Sequence, residues 1–556
     1  MDQAEWTVLR VDGQSLGTSA QLEQVAQLAR AITVSGKRVA IVVSSIQTPG
    51  NKSTVHRLID ASSNCLRTKA SNYNKPTFIS SCSHPRIVSQ LERDLVQLIR
   101  RSIKDPNLGE DAEAFVAESL RSAREFLAAI EIIGEMSPSS YDTLTSSADS
   151  MAAYILTCFL QSSDLPAKLI PTQSLHTPLL KPSLDTPLFD TITSSLCTLL
   201  SPHLKTSTIP VFSGSFPLPH PLSLHTHLPN SQHTSLFASL VTVALSSLSS
   251  LPAVLYLLHS HIKGIYTVDP RITPLARKVR ELDLHAAVKA CGVSGGTGVG
   301  LSSVGVELVC GSGSRVYLSR IGDVVSKLNT CVDVEEVVKA VGTRIGSQCQ
   351  GLPSETNTDS ENIVIYKRGV VVVRIDRVLE SSGATDTNQD AVKLLMESHR
   401  ILGHVFSVFD ECGVRVYESS SSYKTVTVAV GDESTRGFKR SDSSEDLIAA
   451  AAVSPKSNLE TAIDKLRDMK SVKVNVHPNK GIVSLISSSR PCAKPQEIGP
   501  TELTQKLLGA LAGRKIHIEM CSLGVGAAGV SVVVGEEYVT EGVKAVHEAV
   551  CRESSK

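Results

Sequence analysis

Apolar and polar positions along the chain follow two rhythms. Thr7 to Val11 is a short apolar run, followed by a turn at Asp12-Gly13 and a helical pattern over Gln21 to Ile32. A second apolar run, Arg38 to Val43, comes next. Strand, loop, helix and strand at this spacing predict a parallel sheet with crossover helices. From Asp111 to Leu160, Ala and Leu recur at three and four residues, the period of a helix. Ser, Thr and Pro crowd between Pro171 and His233, which predicts loop. Between Thr206 and Ile262 there is no Asp, Glu, Lys or Arg. That stretch predicts a buried helix over Leu236 to Ser247, a Ser-rich turn and a core strand over Ala253 to Leu258.

The pattern breaks at Gly351 to Asn357, where the main domain boundary is placed. Two similar modules follow. The first has a strand at Gly369 to Ile375, a helix at Asp390 to Glu411, and strands at Val414 to Tyr417 and Thr425 to Val430. The second has strands at Val472 to Val476 and Ile482 to Ile486 and a helix at Leu503 to Ala512. Strands at Ile516 to Met520 and Val530 to Val534 and a helix at Thr540 to Val550 complete it. This order is that of tandem ferredoxin-like domains, with the polar tract Gly431 to Glu445 as a surface insertion. The expected division is 1–350, 351–470 and 471–556.

Length and composition narrow the function classes. A chain of 556 residues suits two to four domains. Lys plus Arg (55) balance Asp plus Glu (55), so charge gives no reason to expect nucleic acid or an acidic membrane as partner. One Trp and 4% aromatic residues argue against base-stacking surfaces. The twelve cysteines include no C-x-x-C pair, which fits reduced thiols in the cytoplasm. No basic, apolar leader opens the sequence. Leu236 to Leu258 is long enough to span a bilayer, but Pro252 and its serines favour helix, turn and strand. His220, His225, His227 and His233 are irregularly spaced in a Pro-rich segment, and no metal site is assigned to them. Gly292 to Gly300 lacks the lysine of a phosphate loop and is read as a flexible connection.

Several blocks carry a resemblance. They are Trp6 to Ser15, Val43-Ser44-Ser45 with Gly50 to Thr54, Ile132 to Pro138, and Gly264-Ile265-Tyr266-Thr267-Val268-Asp269-Pro270-Arg271. Together they resemble the aspartokinase family, its fungal branch most closely, and the last block is the most specific. The modules after Ser360 fall where that family keeps paired ACT domains. The resemblance implies an α/β fold: a three-layer α/β/α amino-acid-kinase-like domain followed by tandem ferredoxin-like ACT domains. It also implies transfer of the ATP γ-phosphoryl group to the side-chain carboxylate of aspartate, assisted by Mg2+. Further implications are an amino-acid effector and homo- or hetero-oligomers through the ACT-like domains.

Site residues follow from the same resemblance. Arg10 stands where the family has its catalytic Lys, and Asp149 at the acidic position of the long helix. Ser235 stands at the position of a catalytic Asp. Gly13, Ser15, Ser44, Tyr266, Thr267, Asp269 and Arg271 fall on nucleotide-contacting positions, and Gln14 and Thr234 on acceptor positions. Departures are as informative. Asp12 replaces the first glycine of the Lys-Phe-Gly-Gly-Thr-Ser loop, and its carboxylate would repel phosphate oxygens. Ser231 to Ser235 replaces an Arg-Gly-Tyr-Thr-Asp block, so a guanidinium and a carboxylate are both missing there. His517, Leu523 and Gly529 stand where the family prefers Asn, Gln and Asn for its effector. Two outcomes remain open at this level: an active but altered amino-acid kinase, or a pseudokinase that binds nucleotide or partners a true aspartokinase. A repurposed amino-acid kinase in a specialised biosynthetic pathway is a further alternative.

Overall fold

A computed structural model of the chain describes residues 5–72, 83–172, 175, 186–216, 218, 223–224, 230–293, 301–328, 333–346, 362–377, 400–422, 424–431, 458–469, 472–487, 500–523 and 529–551. The chain divides into two compact units. Residues 1–265, 278–284 and 299–350 form the first, and residues 266–277, 285–298 and 351–556 the second.

The first unit is built on an eight-stranded sheet in the order β3-β4-β2-β1-β5-β7-β8-β6. Its strands are β1 (Trp6–Val11), β2 (Arg38–Val43), β3 (Ala167–Ile170), β4 (Ile209–Ser213), β5 (Val254–His259), β6 (Glu281–Leu282), β7 (Arg315–Arg320) and β8 (Thr343–Ile345). All neighbours are parallel except β7 and β8. Strands buried on both faces need continuous apolar runs, and RVAIVV and VLYLLH supply them. Leu9, Val11, Ile41 and Val43 pack into a core with the helices Ser19–Val34, Thr54–Asn72, Ser83–Ser102, Pro106–Ile133 and Pro138–Gln161. The Asp111 to Leu160 pattern is thus two helices, broken at Gly134 to Ser137, with Ser137 capping the second and Pro138 in its first turn.

The helices Thr54–Asn72 and Ser83–Ser102 were not anticipated from the sequence. Their apolar positions are spaced for one buried face (Val88, Leu91, Leu95, Ile99), but polar residues dominate the composition. The uncharged stretch resolves into the helix Asn230–Ser249 and the central strand β5. No helix among the described residues is long and apolar enough to cross a membrane. Buried hydroxyls in Asn230–Ser249 satisfy themselves by bonding back one turn. Ser239 donates to the Ser235 carbonyl, Thr242 to Ala238 and Ser246 to Thr242.

The second unit holds a six-stranded antiparallel sheet, β10-β11-β9-β12-β14-β13. Its strands are β9 (Asn362–Arg377), β10 (Val416–Ser421), β11 (Thr425–Gly431), β12 (Val472–Ser487), β13 (Ile518–Leu523) and β14 (Gly529–Gly535). Residues 400–411 are helical; the earlier part of the expected Asp390 to Glu411 helix lies outside the described residues, as do most of Gly292 to Gly300 and of Gly431 to Glu445. Two ferredoxin-like modules share this sheet, and β9 and β12, each 16 residues long, run through both. Val371, Val373 and Ile375 pack with Phe409, Val428, Leu466 and Val472 in one core. Val364 packs with Val483, Leu485, Leu507 and Val532 in the other. The chain therefore passes from module to module inside a strand, where the β9–β12 register shifts between His477 and Ile482.

Ser484 on β12 and Ser531 on β14 face each other with hydroxyl oxygens 2.7 Å apart, both buried. Ser484→Ala should cost about 1–2 kcal/mol in urea unfolding, because the Ser531 hydroxyl loses its partner. Adding Ser531→Ala should recover much of that loss. A double variant clearly less stable than the single one would contradict the pairing.

Candidate active site

Four parallel strands end side by side in the first unit, and their C-terminal ends carry its polar groups. Arg10 lies near the end of β1, between Val42 of β2 and Leu257 of β5. Asp12, Gly13, Gln14 and Ser15 follow β1; Ser44 and Ser45 follow β2; Ser213 to Ser215 close β4; His259 and Ser260 close β5. β1 leads by its crossover to β2 on one side and pairs with β5 on the other. Open α/β sheets bind ligands outside the carboxyl ends of the strands at such a reversal in strand order.

Arg10 is 4% exposed. One of its terminal nitrogens, Nη1, lies 3.5 and 3.4 Å from Nδ1 and Nε2 of His259. Its Nε has no hydrogen-bond partner among the described residues. Burial works against the guanidinium charge, and Asp12 and Asp149 work for it. His259 is itself buried, which pushes its pKa down to about 4 despite the pull of Asp12, with Arg10 adding to the fall. The imidazole is therefore neutral near pH 7, and its 3.5 Å approach to Asp12 is a polar contact rather than an ion pair.

Asp12 is the best-solvated carboxylate of the group, though the solvent is protein. Its Oδ1 accepts from the Ser15 amide (2.9 Å) and the Ser15 hydroxyl (2.5 Å). Its Oδ2 accepts from the Ser260 amide (3.2 Å) and lies 3.4 Å from the Ser260 hydroxyl oxygen. Burial alone would raise its pKa, but His259, Arg10 and Ser15 together hold it well below the usual carboxylate range. Asp149 behaves in the opposite way. It is 3% exposed on the helix Pro138–Gln161, and burial pushes it up to about 7, with Ser215, the Ser45 amide and Arg10 pulling it back only in part.

The loops lock together around these charges. Gly13 donates its amide to the Ser44 hydroxyl (2.9 Å) and accepts from the Gln47 amide (2.9 Å). A Cβ on Gly13 would stand 1.7 Å from the Ser45 carbonyl oxygen, so only glycine fits. Gln14 donates to Gln47 (3.0 Å) and accepts from the Ser260 hydroxyl (2.8 Å). A Cβ on Gly214 would meet Thr234 Oγ1 at 2.4 Å and the Val43 carbonyl oxygen at 2.6 Å. The helix bearing Thr234 and Ser235 is thereby pressed onto the loop after β4, with both residues buried.

Among the residues named from sequence, the first unit thus gathers Arg10, Gly13, Gln14, Ser15, Ser44 and Asp149, and Thr234 through Gly214. Tyr266, Thr267, Asp269 and Arg271 belong to the second unit. There the Asp269 carboxylate binds Arg271 (2.7 Å) and accepts from the Tyr366 hydroxyl (3.1 Å), while Thr267 Oγ1 lies 3.1 Å from His547 Nε2. Sequence reasoning missed His259 and Ser260 as site residues. The available signal was their place at the end of an apolar strand adjoining β1.

This polar cluster at the ends of an amino-acid-kinase-like sheet agrees with the comparison of the sequence to known families. The model described as the amino acid kinase family matches residues 5–304. The chain belongs to that family. An aspartokinase of Candida albicans is 22% identical over 482 residues, spanning 83% of this chain and 77% of the relative. The fold matches E. coli aspartokinase III in complex with aspartate and ADP (R-state), with a TM-score of 0.66 at 14% identity, covering 98% of this chain and 100% of that one. It also matches the aspartate kinase of Clostridium acetobutylicum, with a TM-score of 0.55 at 13% identity, covering 98% and 99% of the two chains. The aspartokinase family resemblance and the fold class read from the sequence are both supported.

Two outcomes test the site's packing and electrostatics. Gly214→Ala should destabilise the chain by about 2 kcal/mol or more, because neither Thr234 nor the β2 backbone can retreat freely; an unchanged melting temperature would contradict the contact. Asp149 has its pKa raised on folding, so the wild type loses stability as pH rises from about 4 to about 7. Asp149→Asn lacks that loss. Its stability relative to wild type should improve by roughly 2–3 kcal/mol between pH 5 and pH 8. A pH-independent difference would contradict the raised pKa.

Proposed function

We propose that this is an aspartokinase-like protein in which the family reaction is impaired. That reaction passes the γ-phosphoryl group of ATP to the side-chain carboxylate of L-aspartate, giving 4-phospho-L-aspartate. The observation that carries the reading is the state of the pocket's cation: Arg10 is buried against a neutral His259 and balanced by an ionised Asp12.

A phosphoryl group fits part of this pocket. Among the described residues the Arg10 Nε has no hydrogen-bond partner and is the donor such a group would use. It does not fit beside Asp12, whose charge and hydrogen bonds compete for the same donors. No group of three His, Cys, Asp or Glu among the described residues is placed to hold a metal ion.

The chain's own residues can still do limited chemistry. Gly13, Ser15 and Ser44 form the backbone and hydroxyl lining expected to face a nucleotide. Gln14 and Thr234 offer neutral hydrogen bonds to an acceptor. Asp149, titrating near neutrality, can take up or release a proton but holds only part of a negative charge. Ser235 brings a hydroxyl where the family reaction uses a carboxylate. Each missing preorganised charge costs about 3–4 kcal/mol at the transition state, and two such losses multiply.

The ionised, fully hydrogen-bonded Asp12 also favours a second reading. In it the chain is a non-catalytic partner of a true aspartokinase, assembled through its ACT-like modules. Hydroxamate trapping with ATP, Mg2+ and aspartate should give turnover at least about a thousandfold below an active aspartokinase assayed alongside. A rate within about tenfold of that enzyme would contradict the impaired-site reading.

A further inference from the structure

Asp12 occupies an anion cradle with its own carboxylate. Two amides (Ser15 and Ser260) and the Ser15 hydroxyl donate to its two oxygens. The neutral ring of His259 stands 3.5 Å away. Donors gathered from the loop after β1 and the end of β5 are the kind of set that holds a phosphate or carboxylate oxygen. A short turn with a capping Asp would by itself mean only a local cap. The second observation is Arg10, which is buried almost completely, makes long contacts to an imidazole, and has an Nε with no hydrogen-bond partner among the described residues. The guanidinium and the cradle flank the same imidazole: Arg10 Nη1 lies 3.4 Å from His259 Nε2, and Asp12 Oδ2 lies 3.5 Å from His259 Nδ1.

We propose that Asp12 is a resident anion that fills the phosphate-oxygen subsite of the first unit, and that it is the residue that weakens binding of nucleotide phosphates there. The inference rests on the nucleotide reading above and names the side chain that limits it. A phosphoryl oxygen entering the cradle meets a fixed negative charge and donors already engaged. Removing the charge leaves Arg10 with only the partly ionised Asp149 to balance it, and in the glycine variant also frees the Ser15 and Ser260 amides, so an outside anion takes its place.

The test uses the full chain as wild type, Asp12→Gly and Asp12→Asn, titrated calorimetrically with Mg·ADP and separately with inorganic pyrophosphate. Asp12→Asn keeps an oxygen for Ser15 and serves if the glycine variant does not fold. Both variants should bind both probes about tenfold or more tighter than wild type, and Arg10→Met added to either should abolish the gain. Folded variants that bind pyrophosphate no tighter than wild type overturn the proposal, whatever ADP does. A gain for pyrophosphate with no ADP binding in any form supports the resident anion and overturns the nucleotide reading. A gain that survives Arg10→Met also overturns the proposal, because the cradle and the guanidinium would then act apart.

Discussion

A guanidinium placed inside a parallel sheet must find its counter-charge within the fold. Arg10 is that group, and nothing about β1 lets it escape, since Val42 and Leu257 flank it and its side chain is buried. Isolated buried charge is prohibitively costly, so neighbours have to compensate. Asp12 does so through the field rather than by direct contact, and Asp149 helps in part. Asp12 can remain ionised only because Ser15, Ser260 and His259 surround it. The closure of the loops after β1, β2 and β5 follows from this requirement, with Gly13 and Gly214 permitting the approach.

On the proposed reading, the same arrangement limits the chemistry. A phosphoryl-transfer site keeps its cation and its donors uncommitted until substrate arrives. Here they are committed to one another. The helix start at Thr234 and Ser235 adds hydroxyls but no ion, and the buried Asp149 is drawn toward its neutral form. On that reading, stability of the first unit and capacity for transfer pull against each other at the same residues. A chain that needed the fold but not the rate could settle in this state.

Much of the architecture was legible in the sequence because the signals were periodic and local. The apolar runs of β1, β2 and β5 predicted a parallel sheet, and the uncharged stretch resolved into a helix and a central strand as its length and serines implied. The helices Thr54–Asn72 and Ser83–Ser102 were not legible, since their polar faces outweigh a narrow apolar stripe. The passage of β9 and β12 through both modules was also hidden, because each half-strand has the same apolar alternation and nothing local says which core it enters. At the site, Arg10, Asp12 and the uncharged Ser231 to Ser235 stood out as departures from a family pattern, and Gly13 and Asp149 as positions that follow it. His259 and Ser260 did not, because their role comes from strand adjacency between residues some 250 positions apart. The sequence told which charges were missing; it could not tell that those remaining neutralise one another.

The central claim is that Arg10 and Asp12 carry the charges of this cluster while the imidazole between them stays neutral. Histidine-selective isotope labelling, with His259→Gln to assign the resonance, measures that state directly. The account predicts that the His259 imidazole remains neutral on acidification until about pH 4. A midpoint at or above the ordinary histidine value of about 6.5 would mean a second cation beside Arg10, and would contradict it.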